Sequence, residues 1–350
     1  MEFTIDWYFL IEKLLLISAV LGISLVVAMY STWGERKVAA WIQDRRGPNR
    51  AGPFGLLQPL ADGGKLFFKE EIIPAQANRF LFVLGPSLAM FTACLTSAVI
   101  PWGDSLTIAG REVSLQIADI NIGVLWIMAV VGMGVYGIMI GGWASNNKFS
   151  LLAACRGASQ VISYELPMGL ALIALFMLSG SLSLKDIVEQ QRDGLWFVVL
   201  QPIGFLIFLI CAFAECNRTP FDLPEAENEL NGGYHLEYSS MKLGFYLFAE
   251  YINMFISSVL MATLYFGGYA FPYMDSLGLD GNMLTILGIV ALFLKTFFFI
   301  FLFMWVRWTI PRFRYDQLMK LGWKVLIPLA LLNMLITGAV VLFRQNGFNF

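Results

Sequence analysis

The chain has 350 residues, of which 58% are hydrophobic and only 14% are charged, whereas about 25% of the residues in soluble globular domains are charged. This composition excludes an ordinary water-soluble fold. Lys and Arg number 23 against 25 Asp and Glu, so the net charge of −2 leaves no basic surplus for binding nucleic acid.

Apolar stretches of the length that crosses a bilayer recur along the whole chain. Lys295 is the only charge that interrupts the seventh of them. The predicted spans lie near 14–33, 80–103, 120–147, 166–184, 194–214, 243–274, 281–306 and 325–343. A β-barrel would show shorter segments that alternate in polarity. We therefore predict an all-α integral membrane protein, with residues 1–350 forming one polytopic domain of eight transmembrane helices.

The orientation follows from the basic residues between the spans. Of the 23 Lys and Arg residues, 17 lie in the connections that follow the first, third, fifth and seventh spans. The opposite side has only Lys13, Arg111, Lys185, Arg192 and Arg344. These counts predict a cytoplasmic location for the four basic connections and an outside location for both termini.

The first basic connection is predicted to be an ordered loop over Gly34–Arg50, because two tryptophans and several Gly and Pro residues accompany its charges. Residues 56–73 follow it with leucines and phenylalanines on one broad stripe. That pattern predicts an amphipathic helix at the membrane surface. A loop that is merely solvated is the alternative interpretation.

The third span contains Gly132-Met-Gly134-Val-Tyr-Gly137, which matches the dinucleotide-binding pattern G-x-G-x-x-G. No strand precedes it and no ribose-binding acid follows at the expected distance. We interpret these glycines as positions where a neighbouring helix approaches closely. NADH is not expected to bind to this chain.

The connection after the fifth span, residues 215–233, is strongly acidic and contains a single arginine, Arg218. We call it the acidic loop. Its carboxylates are Glu215, Asp222, Glu225, Glu227 and Glu229. Asp222 and Glu225 have the spacing of a capping box, but capping does not account for the other acids. Neighbouring carboxylates titrate as a coupled set with some pKa values raised, so this loop is a candidate for holding or passing protons.

Four ionisable residues fall inside or at the ends of spans, namely Glu165, Glu215, Glu250 and Lys295. Charges at membrane depth cost about 2.5 to 3.5 kcal/mol on insertion scales, so such residues usually face a cavity or a partner. An ion pair between Lys295 and Glu250 is the structural alternative. His235 is the only histidine and the four cysteines form no C-x-x-C pair, so no zinc or iron–sulfur ligand set is predicted.

Six strings make the sequence recognisable. They are Gly-Glu-Arg-Lys at 34–37, Asp-Arg-Arg-Gly-Pro-Asn at 44–49, Gln-Pro-Leu-Ala-Asp-Gly-Gly-Lys at 58–65, Ser-Gln-Val-Ile-Ser-Tyr-Glu-Leu-Pro at 159–167, Asn-Arg-Thr-Pro-Phe-Asp-Leu-Pro-Glu-Ala-Glu at 217–227 and Gly-Tyr-His-Leu-Glu-Tyr-Ser at 233–239. Together they resemble the H subunit family of bacterial NADH:quinone oxidoreductase, respiratory complex I, over nearly the whole chain.

The resemblance implies a membrane subunit in the bacterial inner membrane that joins the membrane arm to the peripheral arm of the complex. It implies quinone as substrate, no redox centre on this chain, and flavin and iron–sulfur clusters on partner subunits. The residues implied to line the quinone chamber are Glu35, Arg36, Lys37, Arg45, Arg46, Asp62 and Lys65. Those implied to begin a proton path are Glu165, Glu215, Asp222, Glu225, Glu227, Glu229 and Glu250.

One departure from the family is visible, because some members have a carboxylate in the third span and 120–147 here is uncharged. Two other functions stay open from the sequence. A membrane subunit of an energy-converting hydrogenase has a similar layout but would not need the full basic loop. A secondary transporter would place its ligands on broken helices near the midplane.

Overall fold

A computed structural model describes residues 7–108, 110–274, 278 and 280–345. The helices and strands in chain order are α1 (Trp7–Ile42), α2 (Gln58–Phe68), α3 (Arg79–Thr96), β1 (Ser105–Ile108), β2 (Arg111–Ser114), α4 (Gly123–Ala144), α5 (Lys148–Ser179), α6 (Leu184–Asp193), α7 (Phe197–Leu200), α8 (Pro202–Glu215), α9 (Glu227–Leu230), α10 (Ser240–Tyr265), α11 (Gly281–Thr309), α12 (Tyr315–Lys320) and α13 (Ile327–Gln345). A π-helical stretch, Leu321–Leu326, joins α12 to α13 without a break.

Seven helices in the described part of the chain are long and apolar enough to cross a membrane. They are α1, α3, α4, α5, α10, α11 and the continuous helix formed by α12 and α13. The fifth predicted span is shorter than expected. Its helix α8 has 14 residues, a length of about 21 Å. The predicted all-α membrane fold is confirmed, and the count of eight holds only if α8 is included.

Several helices extend beyond the predicted spans into the connections. Helix α1 continues to Ile42, so Glu35, Arg36 and Lys37 lie on its last turns rather than in a loop. Helix α5 likewise begins at Lys148, where Asn147 caps it by accepting a hydrogen bond from the backbone N–H of Phe149 at 2.9 Å. Hydropathy marks the part of a helix that is apolar and not the polar turns that extend past it, which explains both differences.

The connections separate onto two ends of the bundle. One end, which we call the hairpin face, carries the antiparallel pair β1–β2, with Ser105 opposite Ser114. At this face Lys13 Nζ donates to the Gln116 carbonyl at 3.0 Å, and Arg192 lies 3.6 Å from Asp104. The other end, the basic face, carries the connections that follow α1, α4, α8 and α11. The hairpin was not predicted, because its strands have only four residues each.

Glycines bring α3 and α4 close together. A Cβ at Gly137 would lie 2.9 Å from the backbone nitrogen of Ala89, and one at Gly142 would lie 2.5 Å from the Cβ of Ala154 in α5. Gly137 is the last residue of the string that resembles a dinucleotide-binding motif, Gly142 lies more than one turn further along α4, and the string is helical throughout. The interpretation of these glycines as sites of close helix packing is confirmed.

Helix α10 forms the centre of the bundle, and every residue from Met254 to Tyr265 is buried. The helix ends at Tyr265, earlier than the predicted span near 243–274. Its end is held by Lys295 of α11, whose ammonium donates to the carbonyls of Phe266, Gly268 and Ala270 at 2.7, 2.8 and 2.6 Å. These bonds replace the alternative ion pair between Lys295 and Glu250, which is not found among the described residues.

Candidate functional site

A cavity of about 410 Å³ opens near the basic face of the bundle, between α1, α2 and α10. We call it the α1–α2 cavity. Its polar lining includes Glu35, Arg36 and Asp62, and its apolar lining includes Leu66 and Phe248. The volume falls in the range of small-molecule sites, which typically combine apolar walls with a few polar groups.

Arg36 and Asp62 form the exposed edge of this cavity. The guanidinium Nη1 of Arg36 lies 2.7 Å from Oδ2 of Asp62, and Gln58 donates to the other Asp62 oxygen at 3.1 Å. Helix α2 presents Asp62 toward α1 because it packs across the ends of α1 and α10. The predicted surface helix over 56–73 is therefore confirmed in type but is shorter, at Gln58–Phe68.

Glu35 lies at the inner wall of the same cavity and is 6% exposed. Its carboxylate accepts hydrogen bonds from Tyr251 at 2.8 Å and from Arg218 at 3.2 Å, and it lies 2.6 Å from Nη1 of Arg307. Burial alone would lower the pKa of Arg218, but the oxygens of Tyr251, Glu35 and the neighbouring acids raise it above its usual value. A permanently charged arginine therefore joins the cavity wall to the acidic loop.

The acidic loop places Asp222 against a second arginine. Oδ2 of Asp222 lies 2.7 Å from Nη2 of Arg312, while Oδ1 is buried without a hydrogen-bond partner among the described residues. Burial and the negative charge of Glu225 raise the pKa of Asp222 to about 7, even though Arg312 opposes the shift. This carboxyl is therefore poised to exchange a proton near neutral pH.

Glu225 and Glu250 form the next step inward. Burial alone would raise the pKa of Glu225, but a hydrogen bond with Glu250 and the nearby side chains of His235 and Arg218 lower it. His235 Nδ1 lies 3.7 Å from Glu225 Oε1. Glu250 accepts a hydrogen bond from the buried Tyr234 hydroxyl at 3.1 Å. The two carboxyls thus have unequal surroundings, which favours a proton on one of them and a charge on the other.

Two small cavities continue from Glu250 into the bundle. The inner cavity has a volume of about 40 Å³ and is lined by Glu250, Glu215, Asn253 and Tyr234. The apolar cavity has a volume of about 20 Å³, and Glu215 and Asn253 also line it. Glu215 therefore faces both cavities from the last turn of α8.

Glu165 lies deeper, in the middle of α5. Its Oε1 is buried without a hydrogen-bond partner among the described residues. A Cβ at Gly132 of α4 would lie 2.9 Å from that oxygen, so the carboxyl packs directly against the helix backbone at this glycine. The absence of a side chain at Gly132 thus leaves space for the Glu165 carboxyl beside α4.

The remaining predicted residues are more dispersed. Lys37 lies 5.8 Å from the ring of Trp33, and Arg45, Arg46 and Lys65 are exposed outside the α1–α2 cavity. Glu229 is half-exposed and pairs with Arg156 at 2.6 Å. The side chain of Glu227 lies outside the described part of the structure. Of the predicted chamber residues, the cavity brings together only Glu35, Arg36 and Asp62.

Asp222 and Glu225 do not form the predicted capping box. The short helix α9 begins at Glu227, and Asp222 turns instead to Arg312. The residue that ends this helix in the left-handed conformation is Asn231, with a φ of 58°, and Gly232 follows it with a φ of 123°. Arg312 is 90 positions from Asp222 in the chain. The spacing of residues within the loop therefore could not reveal this charged partner.

Four residues of the site were not predicted from the sequence to belong to it, namely Arg307, Arg312, Tyr234 and Tyr251. The two arginines were counted only toward orientation. A usable signal was present, because both follow the seventh span and their connection faces the same end of the bundle as the acidic loop. The tyrosines gave no signal, since aromatic residues are abundant in this chain.

The fold and the site define a multi-pass helical membrane protein with a lateral cavity joined to an internal series of carboxyl groups. A family model described as NADH dehydrogenase matches residues 14–338. The chain is 68% identical over 334 residues to an H-type subunit of the NADH-quinone oxidoreductase of Cytophaga hutchinsonii, covering 95% of this chain and 98% of the relative. The chain belongs to the NADH dehydrogenase family, which comprises the H-type subunits of NADH-quinone oxidoreductase.

Relatives of lower sequence identity also carry NADH-quinone oxidoreductase names. The corresponding NADH-quinone oxidoreductase protein of Thermomicrobium roseum is 51% identical over 347 residues, which cover 97% of this chain and 98% of the relative. NADH-quinone oxidoreductase subunit 8 of Rhodothermus marinus is 49% identical over 354 aligned positions, covering 98% of this chain and all of the relative. The similarity thus extends over nearly the full length of these proteins.

Proposed function

We propose that this chain is the membrane subunit of a proton-translocating NADH:quinone oxidoreductase that helps form the quinone site and couples it to proton movement. The observation that carries the proposal is the position of Glu35. Its carboxylate lines the α1–α2 cavity and also binds Arg218 of the acidic loop. One side chain therefore contacts both parts of the proposed machinery.

The α1–α2 cavity is proposed to admit quinone from the bilayer. Its apolar lining suits an isoprenoid tail, while Arg36 and Asp62 offer polar contacts near the head group. Four basic residues lie outside this cavity, namely Lys37, Arg45, Arg46 and Lys65. They are proposed to contact the peripheral arm or the part of the quinone chamber that partner subunits form. Partner subunits complete the chamber in this proposal.

Coupling is proposed to be electrostatic. Quinone reduction draws protons, so the charge near Glu35 and Arg218 changes, and that change alters the protonation of Asp222, Glu225 and Glu250. Glu215 and Glu165 then respond deeper in the membrane. Such coupling requires a difference in free energy between the states of each site and not proximity alone.

The proposal places all redox groups on other subunits, with flavin and iron–sulfur clusters in the peripheral arm. It assigns the chain to the bacterial inner membrane, with the basic face in the cytoplasm and both termini outside. The functions that the sequence left open, a hydrogenase subunit and a secondary transporter, are not favoured by the names of the relatives.

Glu215 provides the decisive experiment. In sealed membrane vesicles, Glu215→Gln is expected to lower coupled quinone reduction and proton uptake by about ten-fold or more, since glutamine keeps the shape but cannot carry a proton. Electron transfer from NADH to a soluble acceptor should be unchanged, because that acceptor draws electrons from the partner subunits.

The matched control is Glu189→Gln, which makes the same chemical change in a side chain on the hairpin face. It should leave both activities intact. Wild-type rate and proton uptake in a fully assembled Glu215→Gln complex would remove Glu215 from the path. Purification of the native complex without flavin or iron–sulfur subunits would overturn the proposed function itself.

A further inference from the structure

Asn253 interrupts an otherwise buried run of helix α10. Its neighbours Ile252 and Met254 are 0% and 1% exposed, whereas Asn253 keeps accessible surface. That surface belongs to the interior, because Asn253 lines both the inner cavity and the apolar cavity. Among the polar residues of the described chain, only Asn253 and Glu215 line both cavities.

The Asn253 amide has no hydrogen-bond partner among the residues that the structure describes. An amide offers two N–H donors and a carbonyl acceptor, and leaving such a group unsatisfied in a buried site is destabilising. The Glu215 carboxyl also has no hydrogen-bonding side chain or backbone partner in this part of the chain. Two polar groups therefore face the same space without a direct partner for either.

The space between them suits water. A buried water molecule needs about 10 to 15 Å³ of cavity volume, and it also needs two to four polar partners. The inner cavity, at about 40 Å³, has room for two or three waters. Glu250, Tyr234, Asn253 and Glu215 supply the partners around its wall.

We propose that Asn253 anchors a short chain of buried water molecules that connects the carboxyl of Glu250 to the carboxyl of Glu215. The amide accepts from one water and donates to the next, so it fixes their positions without exchanging its own proton. Asn253 is thus a positioning residue for proton transfer. This inference rests on the proposed proton path and assigns to it a residue with no charge.

Leucine tests the inference directly, because it has the same branched arrangement of heavy atoms as asparagine and no polar atom. In sealed vesicles, Asn253→Leu is expected to lower coupled quinone reduction by about ten-fold or more, in the range that loss of positioned proton transfer produces. The solvent deuterium isotope effect on the coupled rate should rise, since proton transfer becomes rate-limiting. A residue that only packs would tolerate leucine and leave the isotope effect unchanged.

Polar replacement should restore the function. Asn253→Asp keeps an oxygen on the cavity wall and is expected to stay within about two-fold of the wild-type rate. The matched control is Ser258→Ala on the same helix. The Ser258 hydroxyl is fully buried and donates to the Met254 carbonyl at 2.7 Å, and it lines neither cavity. That control should match the wild type in rate and isotope effect.

Smaller side chains keep the test decisive if the leucine variant does not assemble. Asn253→Ser and Asn253→Ala both fit the cavity without clash, and only serine retains a polar anchor. Serine should exceed alanine in coupled rate by about three-fold or more, and equal rates would overturn the proposal.

Glu215→Gln is measured in the same vesicles to separate the two claims. If Glu215→Gln is slow while Asn253→Leu is wild type, the inference about Asn253 fails and the proton path stands. If both are wild type, the proton path fails as well.

Discussion

Arg218 Nη1 lies 3.2 Å from Oε2 of Glu35, although 183 positions separate the two residues in the chain. The pair joins the acidic loop to the end of α1, and both side chains are almost completely buried. Tyr251 completes the contact, with the Arg218 guanidinium 4.1 Å from its ring centroid. Any change of charge at one residue therefore acts on the other with little screening by water.

Breaking this pair should destabilise the protein strongly. Removing one partner of a buried ion pair typically costs about 3 to 5 kcal/mol, because the other charge stays buried. We expect Arg218→Met to shorten the thermal half-life of the purified complex and to lower its content in membranes. Arg156→Met, at the exposed pair with Glu229, should cost about 1 kcal/mol or less. Equal losses in the two variants would show that burial is irrelevant to the pair.

The α1–α2 cavity predicts a selective defect. Asp62→Ala removes the partner of Arg36 at 2.7 Å and should lower quinone reduction by about ten-fold, in the range for a lost charged contact to a substrate. Electron transfer from NADH to a soluble acceptor should be preserved. The control is Lys69→Ala, directly after the end of α2, the helix that carries Asp62. This variant should behave as wild type. A parallel fall of both activities in assembled complex would place Asp62 outside the quinone site.

Asp222 predicts a pH dependence. Its pKa lies at about 7 because of burial and the charge of Glu225, so the carboxyl is mainly protonated below pH 7 and mainly ionised above it. The coupled rate should therefore change with an inflection near pH 7. Asp222→Asn should abolish this inflection and resemble the low-pH form at all pH values. The inflection would have another origin if it persisted unchanged in the variant.

Gly132 is expected to determine the position of Glu165. Gly132→Ala places a Cβ 2.9 Å from Oε1 of Glu165, so the carboxyl must move. The coupled rate should fall by about three-fold or more, because small displacements of reacting groups are costly. Gly169→Ala on α5 meets no atom within 4 Å and serves as the control. A wild-type rate for Gly132→Ala would show that the position of Glu165 is unimportant for coupling.

Orientation can be tested by labelling single cysteines in a background that lacks the native four. Cysteines near Arg46 and Arg314 should react only from the cytoplasmic side, and cysteines near Asp104 and Asp186 only from outside. The prediction follows from the excess of Lys and Arg on the basic face. Reversed labelling of the two sets would invert the proposed topology.

The sequence predicted the helical membrane fold because apolar stretches of about 20 residues have few other solutions. The start of α11, at Gly281, was predicted to the residue. The prediction failed where polarity and helix ends diverge, as at the last turns of α1. It also failed at α8, where Gln201 donates to Thr337 at 2.7 Å and a separate short helix, α7, precedes it. Uncharged polar residues of this kind do not interrupt a hydropathy pattern.

The site was predicted by resemblance more than by spacing. Local pattern identified the acidic loop, but it could not find Arg307 and Arg312 as partners of Glu35 and Asp222, because those contacts depend on how distant helices meet. The absence of charge in the third span was visible in the sequence. The space that Gly132 leaves for Glu165 depends on how α4 packs against α5, which the sequence does not reveal.

The three hydrogen bonds of Lys295 also have a consequence for biogenesis. A lone lysine in the hydrocarbon region costs about 2.5 to 3.5 kcal/mol on insertion scales, and the acceptors of Lys295 are three carbonyls in the segment that directly follows α10. Helix α11 therefore gains its compensation only after α10 is in place beside it. The two helices are therefore expected to insert as a pair, because a chain truncated after Asp280 would lack the lysine that binds the Phe266, Gly268 and Ala270 carbonyls.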